Sequence, residues 1–177
     1  MASYHTQYPL RRGMPREELK SRLKLSARGF NASINKLITE HLLADYSALL
    51  AQPEHEVKFD SGQQAKVQAL MRRFEQNPYS PPGTKELQQE VGEEILNALL
   101  TLNELLTVSS DVVFRKQDYD LMVDTIKQEL LRKERITLSE VRDLFDTSRK
   151  YAQALLEHLD SIGITQRDGD FRTLRKK

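Results

Sequence analysis

The sequence contains no cysteine and no tryptophan, few glycines, and no surplus of charge of either sign. Without cysteine there are no disulfides, thiolate metal sites or cysteine nucleophiles. The histidines, His5, His41, His55 and His158, are scattered and form no HxxxH or HExxH pair, which argues against zinc hydrolase chemistry. The glycines build neither GxGxxG nor GxxxxGK[ST], so a nucleotide cradle is missing. No apolar run approaches the length of a membrane span, and the N-terminus lacks the apolar stretch of a signal peptide. Lys plus Arg is 27 and Asp plus Glu is 26, a net charge of +1, which excludes a polybasic tail but not a local basic patch. Hydrophobic residues make up 38% and charged residues 30% of the 177 positions, a balance suited to small helical units rather than one large core. These absences point to a binding module, with no catalytic residue, metal or cofactor expected.

Helical periodicity dominates what is present, and one supersecondary order recurs three times at irregular spacing. A Glu followed by a branched apolar residue opens a short helix at Glu18-Leu19, Glu86-Leu87 and Glu140-Val141. A turn and a longer helix follow each, and then a hairpin candidate. The last copy is the clearest. Its first helix is predicted over Asp118 to Arg132, with Leu121, Met122, Ile126, Leu130 and Leu131 on one face. Thr137-x-x-Glu140 is a capping box that opens the next helix, to Phe145. Asp146-Thr147-Ser148 supplies N-cap residues for a third helix reaching Ile162, and Gly163 is placed for a left-handed C-cap. Ile164 to Arg167 and Phe171 to Leu174 read as strands joined at Asp168-Gly169, a type I′ hairpin signal.

The middle copy is predicted as helices over Gln63 to Glu75, Lys85 to Val91 and Glu93 to Leu102, with a wing from Leu105 to Val108 and Val112 to Phe114. Its Asn77-Pro78-Tyr79-Ser80-Pro81-Pro82-Gly83 connection cannot be helical. The first copy has helices predicted over Pro15 to Leu23 and Asn31 to Leu43, and strands at Ala44 to Ser47 and Glu56 to Phe59. The segment before Pro9 is too short for a full first helix, so the chain is expected to begin partway into this copy. Three helices and a terminal hairpin make a winged helix. The expected fold is therefore mainly α with small β-hairpin wings, a tandem array of three winged-helix domains at 1–60, 61–117 and 118–177.

A winged helix does not fix function. Nucleic acids are usually met by the longer helix of the turn motif and by the wing. In the last copy Arg149 and Lys150 lie in the first turn of that helix, after Thr147 and Ser148, where free amides and the helix dipole favour phosphate. Arg142 lies on the preceding helix, and Arg167, Arg172, Arg175, Lys176 and Lys177 on the wing and tail. Yet Thr137 to Lys177 holds 8 basic and 7 acidic residues, so composition leaves nucleic-acid binding level with protein interaction. Tyr151 is a candidate for stacking on an unpaired base, but burial at helical spacing explains it more simply. His158 reads as a surface residue, and Glu17-Glu18 and Glu93-Glu94 as helix-start acids favoured by the dipole. The long helix of the middle copy begins with acid and lacks a base. The first copy carries a denser set, Arg11, Arg12, Arg16, Lys20, Arg22, Lys24 and Arg28, whose faces sequence does not fix.

Two stretches carry a resemblance. VRDLFDTSRKYA from Val141 to Ala152 and LDSIGITQRDGD from Leu159 to Asp170 resemble the C-terminal end of bacterial selenocysteine-specific elongation factors (SelB). PLRRGMPREEL from Pro9 to Leu19 is similar to the opening of an earlier winged helix in that family. The resemblance covers nearly the whole chain, strongest from Ile136 onward and weakest from Ala44 to Gly83. It implies the last three of four tandem winged helices, the final one binding an mRNA hairpin, the selenocysteine insertion sequence, and so tethering the factor at a UGA codon. It implies a cytoplasmic setting, the ribosome as a partner of the full factor, and RNA contacts at Arg142, Thr147, Ser148, Arg149, Lys150, Arg167, Arg172 and Arg175. The family's GTPase motifs are missing here, so its GTP and tRNA functions do not carry over. A monomer without enzyme activity or membrane attachment is expected. The rival classes are a DNA-binding regulator and a protein-protein adaptor.

Overall fold

A computed structural model describes residues 1–175; the tail cations Lys176 and Lys177 lie outside the described residues. The chain divides into two compact units, 1–62 and 63–177.

The first unit runs α1 (Ala2–Gln7), β1 (Met14–Pro15), α2 (Arg16–Leu23), α3 (Ala27–Thr39), β2 (Ala44–Tyr46) and β3 (Leu49–Ala51). Its apolar core is set by α3, where Phe30, Ile34, Leu37 and Ile38 follow the helical repeat and close on Leu43 and Leu50. The α3 helix starts four residues earlier than the apolar pattern predicts, because the Ser26 hydroxyl accepts the Gly29 amide at 3.2 Å and caps it. It also ends earlier, where His41 turns left-handed at φ 56°. The second strand is Leu49–Ala51, not Glu56 to Phe59. Ser47, at φ 66°, permits a tight turn, and the fully buried Leu50 and Ala51 supply side chains that the charged Glu56–Phe59 stretch lacks. Gly13 passes directly over β3: a Cβ there would lie 2.7 Å from the Leu50 carbonyl oxygen.

The second unit contains the order of three helices and a hairpin twice. It begins with α4 (Ser61–Gln76), α5 (Thr84–Val91), α6 (Glu93–Thr101), β4 (Leu105–Ser109) and β5 (Val112–Arg115). Then come α7 (Lys116–Lys133), β6 (Ile136–Thr137), α8 (Leu138–Leu144), α9 (Arg149–Ser161), β7 (Thr165–Asp168) and β8 (Phe171–Leu174). One core runs through both halves. Val112 and Phe114 of the first hairpin are buried in the same cluster as Met122, Ile126, Leu130, Val141, Leu155 and Leu159. Arg115 ties the corner, donating to Asp118 at 2.8 Å and to Glu75 at 2.9 Å.

The buried face of α7 is Tyr119, Met122, Val123, Ile126 and Leu130. Leu121 and Leu131, predicted on it, are 56% and 75% exposed. At about 100° per residue, both fall well off the arc spanned by Met122, Ile126 and Leu130. The final sheet has the order β6-β8-β7, and β6 is an unpredicted two-residue strand, as is β1. Neither is long enough to show a period of two. The hairpin turn is Gly169-Asp170, one residue later than predicted, since Asp168 pairs with Phe171. At the end of α9, Gly163 takes φ 73° and the Ile164 amide returns to the Leu159 carbonyl at 2.9 Å, as the C-cap reading requires.

The capping box of α8 is complete: the Thr137 hydroxyl accepts the Glu140 amide at 3.2 Å, and the Glu140 carboxylate accepts the Thr137 amide at 2.8 Å. That backbone bond, helped by the Thr137 hydroxyl and Lys133, holds the Glu140 carboxyl below its ordinary range. Thr137→Ala is expected to cost about 1 kcal/mol in urea unfolding at neutral pH. A depressed carboxyl stabilises the fold above its unfolded-state value and loses that contribution as pH falls through the folded one. Thr137→Ala keeps the backbone amide and loses the 2.9 Å bond from the hydroxyl to the Glu140 carboxylate, so the part of its deficit owed to that bond is expected to fade below pH 4.5, the ordinary Glu value, and the rest to remain.

Candidate nucleic-acid interface

The turn between α8 and α9 sets the geometry. Asp146 is left-handed at φ 45°, the Thr147 amide returns to the Arg142 carbonyl at 3.0 Å, and Ser148 is extended at the N-cap. Ser148 makes no side-chain capping bond, so its exposed hydroxyl and the leading amides of α9 face outward unused by a side-chain cap.

The structure brings some of the predicted side chains together and separates others. Arg149 is exposed and has no ion-pair or hydrogen-bond partner among the described residues. Arg142, one turn motif earlier, is exposed and pairs with its neighbour Asp143 at 2.6 Å. Lys150 is ion-paired with Asp111, in the turn of the β4–β5 hairpin, and this hydrogen bond raises its pKa. The Thr147 hydroxyl points the other way: it donates to the Tyr79 carbonyl at 2.5 Å and meets the Ser80 hydroxyl at 2.9 Å. Tyr151 is half-buried, its hydroxyl donating to the Pro81 carbonyl at 2.7 Å and its ring set edge-on to Phe114, so it is not free to stack on a base.

Arg172 is only 6% exposed. Its guanidinium donates to Asp160 at 3.1 Å, and the other Asp160 oxygen accepts the Thr165 hydroxyl at 2.6 Å. The guanidinium of Arg172, predicted as an RNA contact, thus joins the wing to α9. Arg167 is exposed and donates to the Gly169 carbonyl within the wing turn. Arg175 is exposed but lies over Gly163, 3.0 Å from where a Cβ would stand, at the far end of the 13-residue helix from Ser148. At 1.5 Å per residue that end is roughly 20 Å away. His158, read as a surface residue, is half-buried edge-on to Tyr119, and burial lowers its pKa.

The residues that sequence reasoning missed are Tyr79, Ser80, Pro81 and Asp111. Each meets α9 or its cap across 39 to 70 positions, a separation with no local signature. In the first unit most cations are engaged. Arg11 sits on the Tyr8 ring at 4.0 Å, Arg12 on Tyr46 at 3.8 Å, and Arg16 pairs with Asp45 at 2.9 Å. Lys20 and Arg22 pair with Glu17 and Glu18 in the first turn of α2. The first turn of α6 is acidic, with Glu93 and Glu94. No cluster of three or more potential metal-ligating side chains occurs among the described residues.

Removing the Arg172 guanidinium leaves Asp160 without its cation. Fully buried pairs cost about 3–5 kcal/mol when broken, and the partial exposure of Asp160 reduces this to about 2–3 kcal/mol. Arg172→Met is expected to lower the melting temperature clearly, whereas Arg149→Ala is expected to leave it unchanged, both read by circular dichroism.

Comparisons with known proteins bear on this geometry. A family model described as "Elongation factor SelB, winged helix" matches residues 128–174, and a second with the same description matches residues 1–51. The selenocysteine-specific elongation factor of Desulfomicrobium baculatum is 27% identical over all of this chain, which spans 29% of that protein. The Haemophilus influenzae factor of the same description is 22% identical over 81% of the chain, spanning 24% of its length. The chain thus spans under a third of these curated relatives. Among solved structures, the mRNA-binding domain of E. coli SelB in complex with SECIS RNA matches with a TM-score of 0.50 and 25% identity, covering 67% of this chain and all of that one. A bacterial selenocysteine-specific elongation factor, at 18% identity and a TM-score of 0.54, covers 93% of this chain and 26% of that one and shares the fold.

Proposed function

We propose that the chain is a winged-helix region of the SelB elongation-factor family and that it binds an mRNA stem-loop, the selenocysteine insertion sequence, through the start of α9. The observation that carries this reading is Arg149, an exposed cation without an ion-pair or hydrogen-bond partner among the described residues, set beside the unused Ser148 hydroxyl and the helix-start amides. In the relative from E. coli the corresponding region is solved with SECIS RNA. Arg142 and Ser148 complete a short phosphate-binding edge with Arg149, Lys150 joins when freed from Asp111, and Arg167 supplies a cation on the wing. Thr147 and Arg172 act by positioning this edge and the wing. Arg175 is a peripheral contact at most.

The arrangement suits RNA. The deep, narrow major groove of A-form RNA excludes a helix, so sequence-specific readers take loops and bulges. Beyond Lys150, α9 offers little for reading base edges in duplex DNA: Ala152, Ala154, Leu155 and Leu156 are buried, Glu157 is acidic, and the exposed Gln153 is held by Glu157 at 2.8 Å. That disfavours a DNA-binding regulator.

The three copies, at 1–60, 61–117 and 118–177, act on this reading as tandem winged helices, the first two as spacers or secondary contacts. Binding would hold the elongation factor at an in-frame UGA codon for selenocysteine incorporation, on the ribosome and in the cytoplasm, with this region monomeric and without catalysis of its own. No helix among the described residues is long and apolar enough to cross a membrane.

Titration against a bulged RNA hairpin, its bulge-deleted form and a DNA duplex, at two salt concentrations, tests the reading. The intact hairpin is expected to bind tightest. Arg149→Ala is expected to weaken it roughly tenfold, as loss of one charged hydrogen bond would. It should also flatten the logarithmic salt slope by about 0.7–0.9. Equal weak binding to all three nucleic acids would contradict it.

A further inference from the structure

Beside the free Arg149 stands a cation that is not free. The Lys150 ammonium is ion-paired with the Asp111 carboxylate, 39 positions earlier, in the turn of the β4–β5 hairpin. The position of Asp111 is fixed from its own side. Its carbonyl accepts the Thr84 amide at 3.4 Å, and its carboxylate packs so close to Gly83 that a Cβ there would lie 3.1 Å from it. The α9 start is fixed from the other side by Thr147 on Tyr79 and by Tyr151 on Pro81. Two anchored backbones therefore hold an anion against the predicted phosphate edge. Both side chains remain about half exposed, so the pair is weak enough to open.

We propose that Asp111 is an affinity- and specificity-setting residue for RNA: an internal carboxylate that competes with phosphate for Lys150, so that only a ligand already held at Arg149 captures the lysine. The inference rests on the stem-loop reading above. A polyanion seated on Arg149 with no phosphate placed at Lys150 has to displace Asp111 unaided, whereas a hairpin whose shape sets a second phosphate there presents it intramolecularly. Each Lys150–phosphate contact made at the expense of the ion pair releases one condensed counterion from the RNA but leaves Asp111 to recruit a cation of its own. The net salt dependence is thereby blunted.

The experiment is a four-protein cycle on the full chain: the parent, Asp111→Asn, Lys150→Gln and the double variant, each titrated with the bulged hairpin and with a DNA duplex at several salt concentrations. Asp111→Asn keeps the shape and removes the charge. It is expected to tighten hairpin binding about two- to fivefold, the range of an exposed ion pair. It should tighten duplex binding by at least as much, narrowing the preference, and steepen the salt slope by about 0.7. Lys150→Gln is expected to cost more affinity in the Asp111→Asn background than in the parent. Asp111→Ser, which removes the same charge with a smaller side chain, is expected to shift affinity in the same direction, and melting curves check that both variants fold. Unchanged or weaker binding by Asp111→Asn, or an equal cost of Lys150→Gln in the two backgrounds, overturns the proposal while hairpin binding by the parent keeps the stem-loop reading intact. Failure of the parent to prefer the hairpin overturns both.

Discussion

Two hydroxyl groups, those of Thr147 and Tyr151, hold the start of α9 against the loop that joins α4 to α5. That loop, Tyr79-Ser80-Pro81-Pro82, cannot satisfy itself. Pro81 and Pro82 have no amide proton to give a helix or a sheet ladder, and each ring crowds the residue before it out of the helical conformation. Its carbonyls need donors from elsewhere, and the last helix-turn-helix provides them. The Tyr79 ring, 5.1 Å from Phe145, and the Tyr151 ring beside Phe114 close the apolar part of the same contact. Phe114 in turn belongs to the core shared by α7 and α9. The start of α9, where a ligand would land, thus stands on a platform made by the preceding copy of the same motif.

This constraint divides the labour among the polar residues of the edge. A threonine and a serine are adjacent at the cap, yet Thr147 turns inward to a carbonyl and Ser148 stays outward and unused. Arg149 and Lys150 are adjacent too, and the helical step sends one to solvent and the other to Asp111. At the opposite end of α9, Asp160 gathers Arg172 and Thr165 and fixes where the wing leaves the helix. Charge counts alone leave a near-neutral module. Geometry converts it into an edge with one unopposed cation, one cation in reserve and one arginine committed to the fold.

Much of this was legible in the sequence where a local rule operates. The capping box at Thr137 and Glu140, the left-handed Gly163 and the helices of the second unit follow from residues within a few positions of one another. The reading failed where a partner is distant or the element is short. Strands β1 and β6 have two residues each and no pattern to read. The second strand of the first unit was misplaced because Leu49-Leu50-Ala51 pairs through a two-residue turn held by a left-handed Ser47, a conformation no residue type there announces. Leu121 and Leu131 extend an apolar list but lie off the arc of Met122, Ile126 and Leu130, and α7 buries Tyr119 and Val123 instead. Arg172 looked like any wing cation, and only the fold places Asp160 beside it. The pairing of Lys150 with Asp111 spans 39 positions and has no local signature.

The central claim is that RNA lands on the start of α9. Amide chemical-shift mapping during titration of the chain with a bulged RNA hairpin tests it most directly. The account predicts the largest shifts at Ser148 to Tyr151 and at Arg142, with smaller ones at the Arg167 turn and at Asp111. Shifts confined to α3 of the first unit, or to the far end of α9 around Gly163 and Arg175, would contradict it.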